Sequence, residues 1–149
     1  MRISTKGEYG IRAMLELALH YREGPMALGK IAERQAISEP YLEQLVASLR
    51  KAGLLTSVRG ALGGYELTRD PGEIAIGEII RALEGPIAPM ECVREETEGL
   101  GCENSERCAT RLLWRKLQAS INEVLDTTTL GDLVADNKRL NQDEVMYYI

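Results

Sequence analysis

Three cysteines, Cys92, Cys102 and Cys108, carry the clearest chemistry in this chain, because thiolates bind metals and undergo redox reactions. Nine and five residues separate them, in a stretch rich in glutamate and glycine that shows no hydrophobic period. Three thiols argue against a disulfide framework, and inert buried thiols fit a polar loop poorly. Zinc usually takes four nitrogen or sulfur ligands, which this loop does not supply. An iron–sulfur cluster with one ligand from elsewhere fits better, and a redox-sensing thiol pair remains an alternative.

A second stretch, residues 37–69, has the pattern of a helix followed by a two-stranded ribbon. Ser38 is suited to cap the helix, and Pro40 fits its first turn. Apolar residues at helical spacing mark a buried face, and Gly53 ends the helix. Strands are predicted over residues 55–58 and 65–67, joined by a glycine-rich tip. This order predicts the core of a winged helix-turn-helix, whose first helix would come from residues 28–36.

The outward face of that helix and the ribbon carry side chains that suit DNA. Glutamine can pair with adenine through two hydrogen bonds, and an arginine at the base of the ribbon can enter a narrow minor groove. Arg50, Lys51 and Arg69 add positive charge around them. A solvated surface helix beside an ordinary hairpin is the alternative interpretation. The predicted DNA contacts are Ser38, Tyr41, Glu43, Gln44, Ser48, Arg59 and Gly60.

The other predicted elements are helical. A first helix begins near Ser4 or Thr5, where Thr5 and Glu8 fit a capping box. A further helix spans the apolar residues from 76 to 83 and ends at Gly85. A long helix begins near residue 109 and carries a broad apolar stripe. No other long helix is expected, so a second copy of the chain is the natural partner for the stripe. The predicted dimer-interface residues are Leu113, Leu117, Ile121 and Val124.

Charge is distributed unevenly along the 149 residues, whose net charge is −5. Residues 1–70 hold 10 basic and 8 acidic side chains, a balance of +2, and the remainder holds 8 and 15, a balance of −7. The basic half is therefore the half predicted to meet DNA. No apolar run approaches the roughly 20 residues of a membrane helix, and no signal region is visible, so a cytoplasmic protein without membrane contact is expected. No nucleophile–base pair is visible around the single His20, which argues against an enzyme.

A known bacterial family shares most of the distinctive stretches of this chain, namely MRISTKGEYGIRAMLELAL, ISEPYLEQLVASLRKAGLLTSVRGALGGYELTR, IAIGEIIRALEG, the loop with three cysteines, LLWRKLQ and TTTLGDLV. The chain thus resembles the IscR-type winged-helix repressors, which include IscR, NsrR and CymR. The resemblance implies a homodimer that pairs through the long helix and binds a palindromic operator. It also implies an iron–sulfur cluster in the cysteine loop.

Members of that family differ in what they sense. IscR-like members carry a 2Fe–2S cluster and control cluster-assembly genes, whereas NsrR-like members detect nitric oxide through a cluster. CymR-like members lack the cysteines and govern cysteine metabolism through a partner enzyme. This chain departs from the IscR-like pattern in having Arg111 where a histidine is usual, a longer first cysteine gap, and Leu62 in the ribbon. Some relatives take an acidic ligand at position 8 of the other subunit, which implies Glu8 as the fourth cluster ligand here.

The expected architecture is mostly α, a winged helix-turn-helix with a long C-terminal dimerisation helix. Residues 1–85 would form the DNA-binding domain, 86–108 the cluster-binding loop, and 109–149 the dimerisation helix and tail. The expected function is cluster-sensing regulation of transcription, with a 2Fe–2S cluster held by the three cysteines and Glu8, on double-stranded DNA. The alternatives are a nitric-oxide sensor with a 4Fe–4S cluster and a zinc-stabilised protein-interaction module.

Overall fold

The computed structural model describes residues 2–94 and 105–147, and it confirms a mostly helical winged-helix fold. A two-stranded antiparallel sheet pairs Leu55 with Leu67 and Val58 with Gly64. Among the described residues, single turns of 3-10 helix occur at Pro71–Glu73, Glu91–Val93 and Ser105–Arg107. The longer elements are α1 (Thr5–Leu19), α2 (Leu28–Gln35), α3 (Glu39–Lys51), β1 (Leu55–Val58), β2 (Gly64–Leu67), α4 (Ile76–Glu84), α5 (Ala109–Thr127) and α6 (Leu130–Tyr147).

One hydrophobic core lies between the helices of the N-terminal half. Met14 of α1, Ile31 of α2 and Leu42 of α3 are fully buried in it, and Ile79 of α4 closes the same cluster. These positions recur at three- and four-residue spacing, so each helix turns its apolar stripe inward. The core therefore fixes α3 at the surface of a rigid four-helix unit.

Helix α1 packs closely against α4, and two glycines make the approach possible. A β-carbon at Gly10 would collide with the side chain of Leu83, and one at Gly7 would lie 2.8 Å from the carboxylate of Glu84. That carboxylate accepts a hydrogen bond from the backbone N–H of Gly7. The predicted capping box of Thr5 and Glu8 is wrong, because the N-cap residue is Ser4 and Glu84 satisfies the first turn from another helix.

Helix α6 is a second long helix, and the expectation that the chain has no other long helix besides α5 is therefore wrong. It begins after Thr129, whose hydroxyl accepts from the N–H of Asp132 while the carboxylate of Asp132 accepts from the N–H of Thr129. Leu130 is fully buried in the N-terminal core, and α6 packs along α1. Helix α6 thus packs against the N-terminal core and leaves the stripe of α5 uncovered. Within residues 2–94 and 105–147, no helix has the length and apolar character to cross a membrane.

Candidate nucleic-acid interface and cysteine site

The turn between α2 and α3 sets the angle at which α3 meets solvent. Ala36 adopts a left-handed conformation with φ of 53°, and the N–H of Ile37 bonds back to the carbonyl of Ala32 at 3.0 Å. Ser38 then caps α3, since its hydroxyl oxygen accepts from the N–H of Tyr41 at 3.4 Å. The predicted cap is confirmed, whereas the left-handed conformation of Ala36 was not predicted from the sequence.

The exposed face of α3 presents three of the predicted DNA contacts. Glu43, Gln44 and Ser48 are solvent-exposed, while Leu42, Leu45, Val46 and Leu49 fill the opposite face. The hydroxyl of Ser48 donates to the backbone carbonyl of Gln44 at 3.4 Å. Sequence reasoning missed Ala47, which is exposed beside them and offers a methyl group to bases.

Tyr41 lies at the edge of this face and contributes mainly to packing. Its half-buried ring meets the ring of Tyr9 edge-to-face, with centroids 6.1 Å apart. The guanidinium of Arg12 lies 5.2 Å from the centre of the Tyr9 ring and donates to the side chain of Gln35 at 3.0 Å. These contacts join α1, α2 and α3, so the orientation of the helix-turn-helix depends on Tyr9, Arg12 and Gln35, which no local sequence pattern marked.

The ribbon, β1 and β2 with their connecting tip, is anchored to the domain on one side. Met26 and Tyr65 exchange two backbone hydrogen bonds, of 3.0 and 2.9 Å. Arg59 and Gly60 are both exposed at the start of the tip, and Gly60 has a φ of +111°. Arg59 therefore projects from a fixed wing, which is the geometry needed for a minor-groove contact.

Positive charge around α3 comes from Arg50, Lys51 and Arg59, all exposed. Arg69 serves a different purpose, because it donates to the carboxylate of Glu78 at 2.8 Å and so ties the end of the wing to α4. Partial burial acts to raise the pKa of Glu78. The hydrogen bonds from Arg69 and from the N–H of Ala75 outweigh it, so the pKa lies below its ordinary value.

Two of the three cysteines lie on neighbouring segments. Cys108 is the N-cap residue of α5, and its sulfur lies 3.0 Å from the hydroxyl of Thr110. That hydrogen bond, followed by one from the N–H of Arg111, lowers the pKa of the Cys108 thiol. The helix start therefore favours the thiolate of Cys108, which is the reactive and metal-binding form of a cysteine. Cys92 is half-buried in the turn Glu91–Val93, and Cys102 lies outside the described residues.

Two side chains of α5 hold the Cys92 segment in place. Arg111 is buried and donates through Nε to the carbonyl of Cys92 at 3.4 Å. The Gln118 amide donates to the carbonyl of Val93 at 2.8 Å and to that of Ile87 at 3.4 Å. In the sequence, Arg111 was notable only because it stands where IscR-like relatives usually have a histidine. The structure shows that it positions the backbone of one cysteine beside the helix that begins at another.

Glu8 differs from the two cysteines, because its carboxylate has no hydrogen bond or ion pair within the described residues. It is exposed on the first turns of α1, where it lines an open hollow of about 510 Å³ with Arg2, Ile3, Ser4 and Thr5. In the described part of the chain, no three histidine, cysteine or acidic side chains come together as a metal site. Glu8 is therefore not gathered with Cys92 and Cys108 of its own chain.

The stripe on α5 is exposed along most of its length. Leu113, Leu117 and Val124 are 55%, 40% and 61% exposed, and Ile121 is half-buried. An apolar row of this kind costs free energy in water and marks an interaction surface.

A helix-turn-helix with a polar exposed helix, flanking cations and an anchored wing defines a winged-helix DNA-binding protein. Within that class, residues 3–136 match the Rrf2 family, described as iron-dependent transcriptional regulators. This chain belongs to the Rrf2 family. Like its curated relatives, it is a transcriptional regulator and not an enzyme.

Relatives of two kinds are equally similar to this chain. The HTH-type transcriptional regulator CymR of Bacillus subtilis is 47% identical over 149 residues, which covers both proteins completely. The regulator IscR of Aliivibrio salmonicida is also 47% identical, over 138 residues that make up 93% of this chain and 80% of the relative. The solved structure of B. subtilis CymR, titled the global cysteine regulator, aligns with a TM-score of 0.76 at 50% identity, covering 91% of this chain and 97% of that one.

Proposed function

We propose that this chain is a cytoplasmic, homodimeric regulator that senses an iron–sulfur cluster and binds a palindromic operator, controlling genes of cluster assembly. Cys92, Cys102 and Cys108 would hold a 2Fe–2S cluster, with Glu8 of the opposite subunit as the fourth ligand. The observation that carries the proposal is the link from Arg111 to the carbonyl of Cys92, because it brings the Cys92 segment to the helix that starts at Cys108.

The donor set fits such a cluster. Thiolates are its usual ligands, and the hydrogen bonds at the start of α5 favour the thiolate of Cys108. Arg107, Arg111 and Arg115 line a hollow of about 290 Å³ beside Cys108, and their positive charges compensate for an anionic cluster. When bound, the cluster supplies a redox-active and oxidation-sensitive centre.

The position of the segment that holds Cys92, which begins after α4, suggests how gain or loss of the cluster would affect DNA binding. The segment follows directly on α4, and the last residue of α4, Glu84, is hydrogen-bonded to the first turn of α1. Glu8 lies on that same turn. Ligation by Glu8 of the opposite subunit would therefore join the loop of one chain to the DNA-binding domain of the other. The spacing of the two α3 helices would then depend on the state of the site.

The exposed stripe of α5 supports the homodimer. Charged side chains would be tolerated at solvent-exposed positions of a monomer. The stripe of α5 is nevertheless apolar at all four of its predicted interface positions, Leu113, Leu117, Ile121 and Val124. Two copies of one stripe form a self-complementary contact, and two-fold symmetry matches a palindromic operator. We assign residues 1–85 to DNA binding, 86–108 to the cluster and 109–149 to the dimerisation helix and tail.

A second candidate is regulation of cysteine metabolism. It is favoured by the end-to-end match to B. subtilis CymR, whereas the IscR relative extends beyond the region matched. The three cysteines favour the cluster instead, because the resemblance implies that CymR-like members lack them. The remaining alternatives, a 4Fe–4S nitric-oxide sensor and a zinc-stabilised interaction module, use the same thiols.

One preparation separates these functions. Full-length protein purified without oxygen is expected to be brown, with the visible and resonance Raman bands of a 2Fe–2S cluster and two irons per chain. Colourless protein with bound zinc would support the zinc module, and a 4Fe–4S spectrum would support the nitric-oxide sensor. Metal-free protein whose operator binding responds to cysteine-metabolism proteins would support the second candidate. In the same preparation, equal affinity for a selected operator and for random duplex at physiological salt would refute sequence-specific DNA binding.

A further inference from the structure

The tip of the wing accepts a large side chain at very few positions. A β-carbon at Gly63 would collide with the carbonyl oxygen of Val58, and one at Gly64 would collide with the carbonyl oxygen of Met26. Gly60 and Gly64 also have φ of +111° and +150°, which side chains strongly disfavour. Apart from Arg59 at its start, the tip can therefore carry side chains only at Ala61 and Leu62.

A tight turn holds Leu62 at the apex. The N–H of Gly63 donates to the carbonyl of Gly60 at 3.0 Å, which closes a four-residue turn with Ala61 and Leu62 at its two central positions. Leu62 is 91% exposed, whereas the next most exposed large hydrophobic side chain in the described residues, Val124, is 61% exposed. Any surface that meets the wing tip must therefore meet the isobutyl group of Leu62.

The charges beside the wing indicate what that surface is. Arg59 begins the tip, and Lys51 ends the exposed helix that packs against β1. An apolar side chain flanked by cations suits a minor groove, whose phosphates lie at the rims and whose floor is formed by base edges. The floor of A·T pairs presents only acceptors, while a G·C pair adds the guanine N2 amino group.

We propose that Leu62 contacts the floor of the minor groove and excludes G·C pairs from the position beneath the wing. The inference rests on the proposed DNA binding by α3 and the wing. Leucine has no acceptor for the guanine amino group, so the contact would bury an unpaired donor and displace its water. An A·T pair has no hydrogen-bond donor in the minor groove that Leu62 could leave unpaired. Specificity would then arise by exclusion, at a position where no hydrogen bond reads the base.

The effect expected from one buried unpaired donor is about tenfold in affinity. To measure it, the full-length protein, prepared without oxygen, is used to select an operator from a random duplex library. Hydroxyl-radical footprints of wild type and of Leu62→Ser then locate the minor-groove sugars that the tip protects. The A·T pairs at those positions are replaced by G·C and, separately, by inosine·C. Inosine·C has the major-groove edge of G·C but lacks the amino group in the minor groove.

Wild-type protein should lose about tenfold in affinity with G·C and regain it with inosine·C. Leu62→Ser supplies an oxygen that can accept from the amino group, so its affinities for A·T and G·C should agree within about twofold. Leu140→Ser removes another exposed leucine, from α6, and should keep the wild-type discrimination.

Two results would overturn the inference alone: inosine·C as weak as G·C, or undiminished discrimination by Leu62→Ser. Failure to select any operator would overturn the proposed DNA binding and the inference with it. Both variants change exposed side chains, so thermal unfolding should match that of wild type and confirm that folding is unaffected.

Discussion

The carboxylate of Glu84, at the end of α4, accepts hydrogen bonds from the backbone N–H and the hydroxyl of Ser4, the N-cap residue of α1. The same carboxylate also accepts from the N–H of Gly7 at 3.2 Å. A negative charge is stabilising at the positive end of a helix, and here it comes from a helix distant in sequence. The start of α1 is therefore fixed to the residue that precedes Gly85 and the cysteine segment.

Removing this contact should destabilise the fold. We expect Glu84→Ala to lower the free energy of unfolding by about 1 kcal/mol, since two backbone donors of α1 lose their partner. Urea unfolding followed by circular dichroism measures the change. Glu33→Ala, which removes an exposed glutamate of α2, is the control and should have little effect. Equal stability of the Glu84 variant and wild type would show that the contact contributes nothing.

Glu8→Gln should separate ligation from folding. Because Glu84 caps α1, the Glu8 side chain is not needed for the cap, and the variant should fold and unfold as wild type does. A neutral amide is a poor ligand, so the anaerobic protein should show an altered or labile cluster spectrum. A spectrum and cluster lifetime identical to those of wild type would exclude Glu8 as the fourth ligand.

A charge in the stripe of α5 should prevent dimerisation. Leu117 is exposed in the single chain, so Leu117→Glu should fold, yet two copies of the charge cannot be solvated in a shared apolar contact. Analytical ultracentrifugation should show a monomer, and operator binding should be lost. Ala119→Glu adds the same charge to an exposed position about 200° around the helix, and should remain dimeric. A dimer formed by the Leu117 variant would place the interface elsewhere.

Base contacts and phosphate contacts should respond differently to substitution. Gln44→Ala should cost about 1–3 kcal/mol of binding free energy and relax the preference at one base pair. Arg59→Ala should weaken binding, and the salt dependence should fall by about one unit if Arg59 meets phosphate. Titrations of selected and mismatched operators at several salt concentrations distinguish the two. An unchanged base preference for Gln44→Ala would remove it from the reading surface.

The pairing of Arg69 with Glu78 should give the stability of the wing a pH dependence. The pKa of Glu78 is lowered in the folded protein, so its ionised form contributes stability above the ordinary value of 4.5, and that contribution is lost as pH falls through the lower folded pKa. Glu78→Gln should therefore lower the melting temperature at pH 6–7 and converge with wild type in acid. Glu73→Gln, at an exposed position nearby, should follow the wild-type curve throughout.

Local patterns were enough to predict the helix-turn-helix and the wing. The cap by Ser38, the turn at Gly53 and the buried stripe of α3 depend on neighbours within a few residues, so the sequence carries their full signal. The start of α5 near Ala109 was predicted for the same reason. Helix α6 was missed because its sequence is polar, and its first turn is stabilised by burial of Leu130 in a distant core.

The sequence by itself determined the residue types: a polar helix with flanking cations, three thiols and an apolar stripe. Only the tertiary structure decided which partners they meet. Glu84, and not Glu8, bonds to the first turn of α1. Arg69 pairs with Glu78 instead of adding free charge beside α3. Arg111 is buried and bonds to the backbone carbonyl of Cys92. These contacts join residues 77, 9 and 19 positions apart in the chain, and each links two different segments of the fold. Their formation depends on how the helices pack, and no local spacing records that.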